Sequence, residues 1–118
     1  MADEHANLLQ GTLEMLVLKV LALEPLHGWG IALRIQFLSN DVFLVTQGSL
    51  HPALLRLKRR GLLQTAWRMT ENSRRARYYG LTPAGRRQLG LEQVLWKRAS
   101  RAVDSILAAR AAPTSVSN

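Results

Sequence analysis

The segment Thr46–Arg60, TQGSLHPALLRLKRR, closed by Gly61, restricts the fold more than any other part of the chain. Wound at about 100° per residue, it places Leu50, Leu54 and Leu57 on one face and Gly48, Pro52 and Arg59 opposite them. His51 and Lys58 fall on one flank, Ser49 and Arg56 on the other. One side suits a core. The other has small residues near its start and cations near its end, as a helix lying across nucleic acid requires. Inside a helix Pro52 would clash with the carbonyl four residues earlier, so Ser49 is expected as the N-cap of a helix over about 50–60. Residues 47–49 then form a tight turn, which can itself be helical. Standing alone, such a helix is equally well a solvated basic surface; the rest of the chain has to decide.

Charge placement begins that decision. The chain has 118 residues and a formal net charge of +8. Arg56, Lys58, Arg59, Arg60, Arg68, Arg74, Arg75, Arg77, Arg86 and Arg87 fall within one stretch whose only acid is Glu71, while the first 55 residues hold just Lys19 and Arg34. A field concentrated in this way attracts polyanions. Hydrophobic residues make up 47% of the chain, so the cations belong to a globular domain rather than a disordered tail. The apolar run Leu13–Leu23 is too short to span a bilayer and contains Glu14 and Lys19, so no membrane association is expected. The start, MADEHANLL, is acidic where a signal peptide would be basic. With no cysteine there is no disulfide or thiolate metal site, and the composition suits the cytoplasm.

Four further elements flank the basic helix. Thr12 is a suitable N-cap, with Glu14 in the first turn to suit the helix dipole, for a helix ending near Leu23 ahead of Pro25. Leu13, Met15, Leu16, Val17, Leu18, Val20 and Leu21 make it apolar almost all round. In so small a domain the second side is expected to be covered by a partner subunit. Residues 25–30 suggest a turn into a helix over 29–39, with Ile31, Ile35 and Leu38 inward. The segments Leu63–Met69 and Arg77–Leu81 suggest a β-hairpin whose tip carries Arg74 and Arg75. Thr82-Pro83 then opens a helix expected to run to about Ala109. Leu89, Trp96, Val103 and Ile106 line one side of it.

Three helices, a basic hairpin and a long final helix make the fold mostly α with a two-stranded hairpin, a winged helix-turn-helix. Residues 8–81 would form the DNA-binding domain and 82–110 a dimerisation helix, with 111–118 a disordered tail.

Several blocks resemble the PadR family of bacterial transcriptional regulators. They are Leu9-Gln10-Gly11-Thr12-Leu13-Glu14, His27-Gly28-Trp29, Gly48-Ser49-Leu50-His51-Pro52-Ala53-Leu54, Gly61-Leu62, Arg74-Arg75-Ala76-Arg77-Tyr78-Tyr79 and Leu81-Thr82-Pro83-Ala84-Gly85. The likeness extends over about 8–107 and is greatest to compact members with a single C-terminal helix. It implies a homodimeric repressor on an inverted-repeat DNA operator, with the C-terminal helix packed on the partner's first helix. Two positions depart from the family pattern: His51 and Trp29 stand where tyrosines are usual. Each keeps a ring N–H donor.

The residues expected to meet DNA are Gln47, Ser49, His51 and Pro52 at the helix start, Arg56 and Arg59 near its end, and Arg74, Arg75 and Arg77 on the wing. Leu13, Val17, Leu89, Trp96, Val103 and Ile106 are expected in the dimer seam. Since some relatives respond to planar aromatic effectors, Trp96 is also a candidate wall for one. Tyr78, Tyr79 and Trp67 are expected to pack within the wing.

Catalysis finds no support. His5, His27 and His51 lack metal-ligand spacing, and no paired carboxylates or phosphate-cradling glycine loop occur, so neither metal nor cofactor is expected. The main alternative is a basic protein that coats RNA or DNA without sequence preference. A protein-binding winged domain with incidental charge is a third.

Overall fold

The computed structural model describes residues 10–111. The acidic start and most of the expected C-terminal tail lie outside them. The elements are α1 (Gln10–Leu23), β1 (Leu26–His27), α2 (Gly28–Leu38), α3 (Gln47–Arg59), β2 (Leu63–Met69), β3 (Arg75–Leu81) and α4 (Pro83–Leu107). This is the mostly helical winged fold expected from the sequence, with one strand more than the hairpin.

α1 is the centre of the body. Val17 and Leu18 are fully buried, and Leu13, Met15, Val20 and Leu21 nearly so. Much of its apolar surface is covered within the protomer, where α2, α3, α4 and β3 all contact it. Its start also differs from expectation. The helix already runs at Gln10, so Thr12 is not its cap and Glu14 is a fifth residue rather than a first-turn acid.

α2 is capped by His27, whose Nδ1 accepts from the Gly30 N–H at 3.0 Å. It ends in a left-handed turn at Asn40 (φ 52°) and Asp41 (φ 65°), where the Asp41 N–H donates back to the Gln36 carbonyl at 2.9 Å. α3 begins one turn earlier than the proline argument implied. Thr46 is the N-cap, its hydroxyl accepting from the Ser49 N–H at 3.1 Å. Pro52 therefore lies inside the helix and cannot donate to the Gly48 carbonyl. Both residues lie on the exposed side, where water can serve that carbonyl. Gly61 (φ 75°) ends the helix, with the Leu62 N–H returning to the Leu57 carbonyl at 3.0 Å.

The sheet order is β1-β3-β2, antiparallel throughout, with Leu63 opposite Leu81 and Met69 opposite Arg75. β1 adds a two-residue strand, Leu26 opposite Tyr79 and His27 opposite Tyr78, where the sequence suggested only a turn. Thr82 joins wing to α4. Its hydroxyl donates to the Gly61 carbonyl at 2.7 Å and accepts from the Gly85 N–H at 3.0 Å. Gly85 itself is required by proximity, because a Cβ there would sit 2.3 Å from the Leu62 carbonyl oxygen. The core is closed by Leu50, Ala53, Leu54 and Leu57 from α3, Leu62, Leu63, Tyr79 and Leu81 from the wing, and Leu89 from α4.

Candidate nucleic-acid interface

The cap at Thr46 fixes which way α3 faces. With Leu50, Ala53, Leu54 and Leu57 buried, Gln47, Gly48, Ser49, His51, Pro52, Leu55, Lys58 and Arg59 are left on the open side. The Gln47 side-chain amide donates to the Gly28 carbonyl at 3.4 Å, which ties the start of α3 to the start of α2. The Ser49 hydroxyl accepts from Thr46 Oγ1 at 3.2 Å, so the cap already uses part of its bonding capacity. Leu55 is 46% exposed in the middle of this face.

The wing stands beside it. Its tip is a turn in which the Thr70 N–H donates to the Arg74 carbonyl at 2.7 Å and Ser73 takes a left-handed conformation (φ 60°). β3 starts at Arg75, two residues earlier than expected, so Arg75 and Arg77 project from a strand and share one face with Trp67 and Met69. Trp67 is exposed, against the expectation that it packs inside the wing, and it works as a platform. The Arg75 guanidinium lies 5.0 Å and that of Arg77 5.2 Å from its ring centroid. On the other face Arg68 lies 4.5 Å from the ring centroid of Tyr78. Stacking of this kind aligns guanidinium groups while leaving their N–H donors free. Neither Trp67 nor Arg68 was singled out for this role, although Trp67-Arg68 on one strand opposite Ala76-Arg77 on the next already places them together once the register is known.

Between α3 and the wing runs an open cleft of about 540 Å³, lined by His27, Trp29, Gln47, His51, Leu54, Asn72, Arg74, Arg75, Arg77 and Tyr79 among others. No acid contributes to its walls. The Nδ1 lone pair of His27 is taken by the α2 cap, so its proton sits on Nε2. Its ring meets Tyr78 edge-on, with centroids 5.2 Å apart. Of the residues expected to meet DNA, Gln47, His51, Arg74, Arg75 and Arg77 converge on this cleft, while Ser49, Pro52 and Arg59 share the open face of α3.

Arg56 does not join them; in the free protein it is engaged by an acid of α1. Its Nε donates to Glu14 Oε2 at 2.6 Å, and Arg60 Nη1 lies 3.8 Å from Glu14 Oε1. Glu14 is 7% exposed. A buried carboxylate needs a partner, and Arg56 on the α1 side of α3 supplies one. An acid alone on an otherwise apolar helix was the available signal in the sequence, but it did not say which cation would answer it.

The residues assigned to the seam divide in two. Leu13, Val17 and Leu89 are buried within their own protomer. Trp96 and Val103 are about half exposed and Ile106 is 73% exposed. Leu91, Leu95 and Leu107 are also bare. Trp96 and Leu95 border a groove of about 560 Å³ against Gly11, Thr12, Glu14 and Met15 of α1.

Among the described residues no group of three His, Cys, Asp or Glu side chains is placed to hold a metal ion. No helix among them is long and apolar enough to cross a membrane.

A helical body that presents α3 beside an arginine-bearing wing defines a winged helix-turn-helix domain of the DNA-binding class. Within that class the chain belongs to the PadR-like family of transcriptional regulators, whose model matches residues 17–91. The chain is similar to a PadR-like transcription factor from Bacteroides fragilis, with 32% identity and a TM-score of 0.66 over 82% of this chain and 91% of that one. It is similar also to a PadR family regulator from Eggerthella lenta, with 30% identity and a TM-score of 0.71 over 86% of each chain. A PadR-like regulator from Bacillus cereus, 24% identical over 86% of this chain and 96% of that one, shares the fold with a TM-score of 0.74. No curated protein matches the chain by sequence.

Proposed function

We propose that the protein acts in the cytoplasm as a homodimeric repressor that binds an inverted-repeat operator. The supporting observation is the cleft between α3 and the wing, which gathers His51, Arg74, Arg75 and Arg77 with no acid among its lining residues. In this reading the start of α3 enters the major groove, with Gln47, Ser49 and His51 nearest the base edges. Arg59 and Lys58 neutralise phosphates, and the wing arginines held on Trp67 reach the neighbouring minor groove or backbone. The bare stripe of α4, including Trp96, Val103 and Ile106, closes the dimer and sets the two α3 helices about 34 Å apart along the duplex. Trp96, with Leu95 and Met15 beside it, is where a planar aromatic effector would bind.

Binding carried by phosphate neutralisation weakens linearly in log affinity against log salt. Titrating a selected palindrome and a scrambled duplex at several salt concentrations tests the proposal. A steep salt dependence with preference for the palindrome supports it. Equal affinity for both duplexes favours a protein that coats nucleic acid without sequence preference, and affinity flat in salt rules out the phosphate mechanism. Replacing Arg74 and Arg75 together with Ala should weaken binding while leaving the dimer intact.

A further inference from the structure

Glu14 is the one charged side chain that is buried among the described residues, and DNA binding as set out above makes no use of it. It sits on α1, yet both of its oxygens face cations at the end of α3: Arg56 Nε at 2.6 Å and, from the C-cap residue, Arg60 Nη1 at 3.8 Å. Those two arginines belong to the same cationic run as Lys58 and Arg59, which stay on the open side. On the helix, Arg56 lies only about 60° round from Arg59, so an unrestrained guanidinium at 56 swings within reach of the same phosphates. A short charge-assisted bond to a buried carboxylate opposes that swing, because releasing the arginine strands the acid in the core.

We propose that Glu14 is a specificity-setting residue: it withholds Arg56 from the DNA backbone and so caps the protein's sequence-independent attraction. This rests on α3 being the DNA-facing helix. Phosphate contacts are equally available on every duplex, so each extra free cation strengthens non-specific binding without adding base recognition. Holding one arginine back in each protomer keeps two potential phosphate contacts per dimer out of the non-specific complex. Preference for an operator then depends on the start of α3 and on the wing, with less background from the end of α3.

The test is a salt titration of the full chain on the selected operator and on a scrambled duplex of equal length. Glu14→Gln keeps the side chain's shape and an oxygen for the Arg56 Nε–H but removes the charge. It should steepen the slope of log affinity against log salt by about 2 per dimer and tighten scrambled-duplex binding by roughly ten- to sixtyfold at 0.1 M salt. The ratio of operator to scrambled affinity should fall. Adding Arg56→Gln to that variant discards the released cation and should return the slope to the wild-type value, which a merely structural role for Glu14 would not produce. An unchanged slope and ratio in a folded Glu14→Gln dimer overturns the inference. Should that variant fail to fold, two single variants decide. Arg56→Gln should leave the wild-type slope unchanged, whereas Arg59→Gln should lower it by about 2 per dimer. Equal losses from both show Arg56 already on phosphate and overturn the inference. A wild-type chain without salt-dependent binding, or an Arg59→Gln chain indistinguishable from it, removes instead the DNA-facing role of α3.

Discussion

α1 and the outer part of α4 are both rich in large apolar side chains, but their surroundings are opposite. Along α1, Leu13, Met15, Val17, Leu18, Val20 and Leu21 are all buried, against α2, α3, α4 and β3. Along α4, Leu89 is the last side chain in the core, and beyond it Leu91, Leu95, Trp96, Val103, Ile106 and Leu107 are half exposed or more. At 25 residues α4 is about 37 Å long, so most of its length extends past the body that its first turns pack against. Apolarity all round a helix marks a central strut. An apolar stripe that continues beyond the last core contact is left bare in the protomer, and the proposed dimer would cover it.

The two helices should respond oppositely to mutation. Truncating Leu18, which is fully buried, should give the largest effect: Leu18→Ala should cost about 2–5 kcal/mol in urea unfolding. The loss should be the same at all protein concentrations once the dimer is saturated. A loss below about 1 kcal/mol would mean that α1 is less central than its burial indicates. Val103→Glu should do the reverse. At 52% exposure the new charge meets solvent in the isolated protomer and costs it under about 0.5 kcal/mol. Within a packed seam the same unpaired charge is costly, and light scattering coupled to gel filtration should show the particle mass halve. A Val103→Glu chain that stays dimeric would move the seam elsewhere.

Thr82 is the join between the enclosed and the bare regions, and its removal should have an intermediate effect. Thr82→Ala loses both the α4 cap to Gly85 and the hydroxyl bond to Gly61, at a cost of about 1–2 kcal/mol. Hydrogen exchange should locate the loosening in the first turn of α4 and leave α1 protected. Faster exchange along α1 as well would mean that body and outer helix unfold as one unit.

What was legible in the sequence follows the same division between local and tertiary causes. Thr82-Pro83, Pro25 and Gly61 act through backbone geometry within a few residues, and the ends of α1, α3 and the start of α4 follow from them. In the sequence Pro52 argues against a start as early as Thr46, and so points to Ser49 as the cap. The helix tolerates the proline because the lost bond lies on its open side, which only the packing of Leu50, Leu54 and Leu57 determines. β1 is two residues long and exists because β3 offers it an edge, so no periodicity could reveal it. For the interface, the cations were legible as a group but not their individual fates. Arg59 and Arg56 lie only about 60° apart in a helical projection, and Glu14, 42 positions away from Arg56, separates their fates. Likewise Val17 and Val103 both look like seam residues until the chain folds and encloses one of them.

The smallest predicted effect sharpens the contrast at the point where α4 leaves the body. Gly90 follows Leu89 directly, is exposed, and an added Cβ there would meet nothing within 4 Å. Glycine inside a helix costs about 0.5–1 kcal/mol relative to alanine because it gives up more backbone freedom on folding. Gly90→Ala should therefore stabilise α4 by about that amount with no new contact. Gly11 in α1 also has open space around it, but it lies in a first turn already held by a packed helix, so Gly11→Ala should give less. If the outer part of α4 is ordered mainly against a partner, stiffening it at residue 90 lowers the ordering cost of association. Dimer dissociation measured by dilution should then weaken for Gly90→Ala by roughly two- to fivefold per helix, while Gly11→Ala leaves it unchanged. Equal effects of the two substitutions on dissociation would mean that α4 is as firmly set in the protomer as α1.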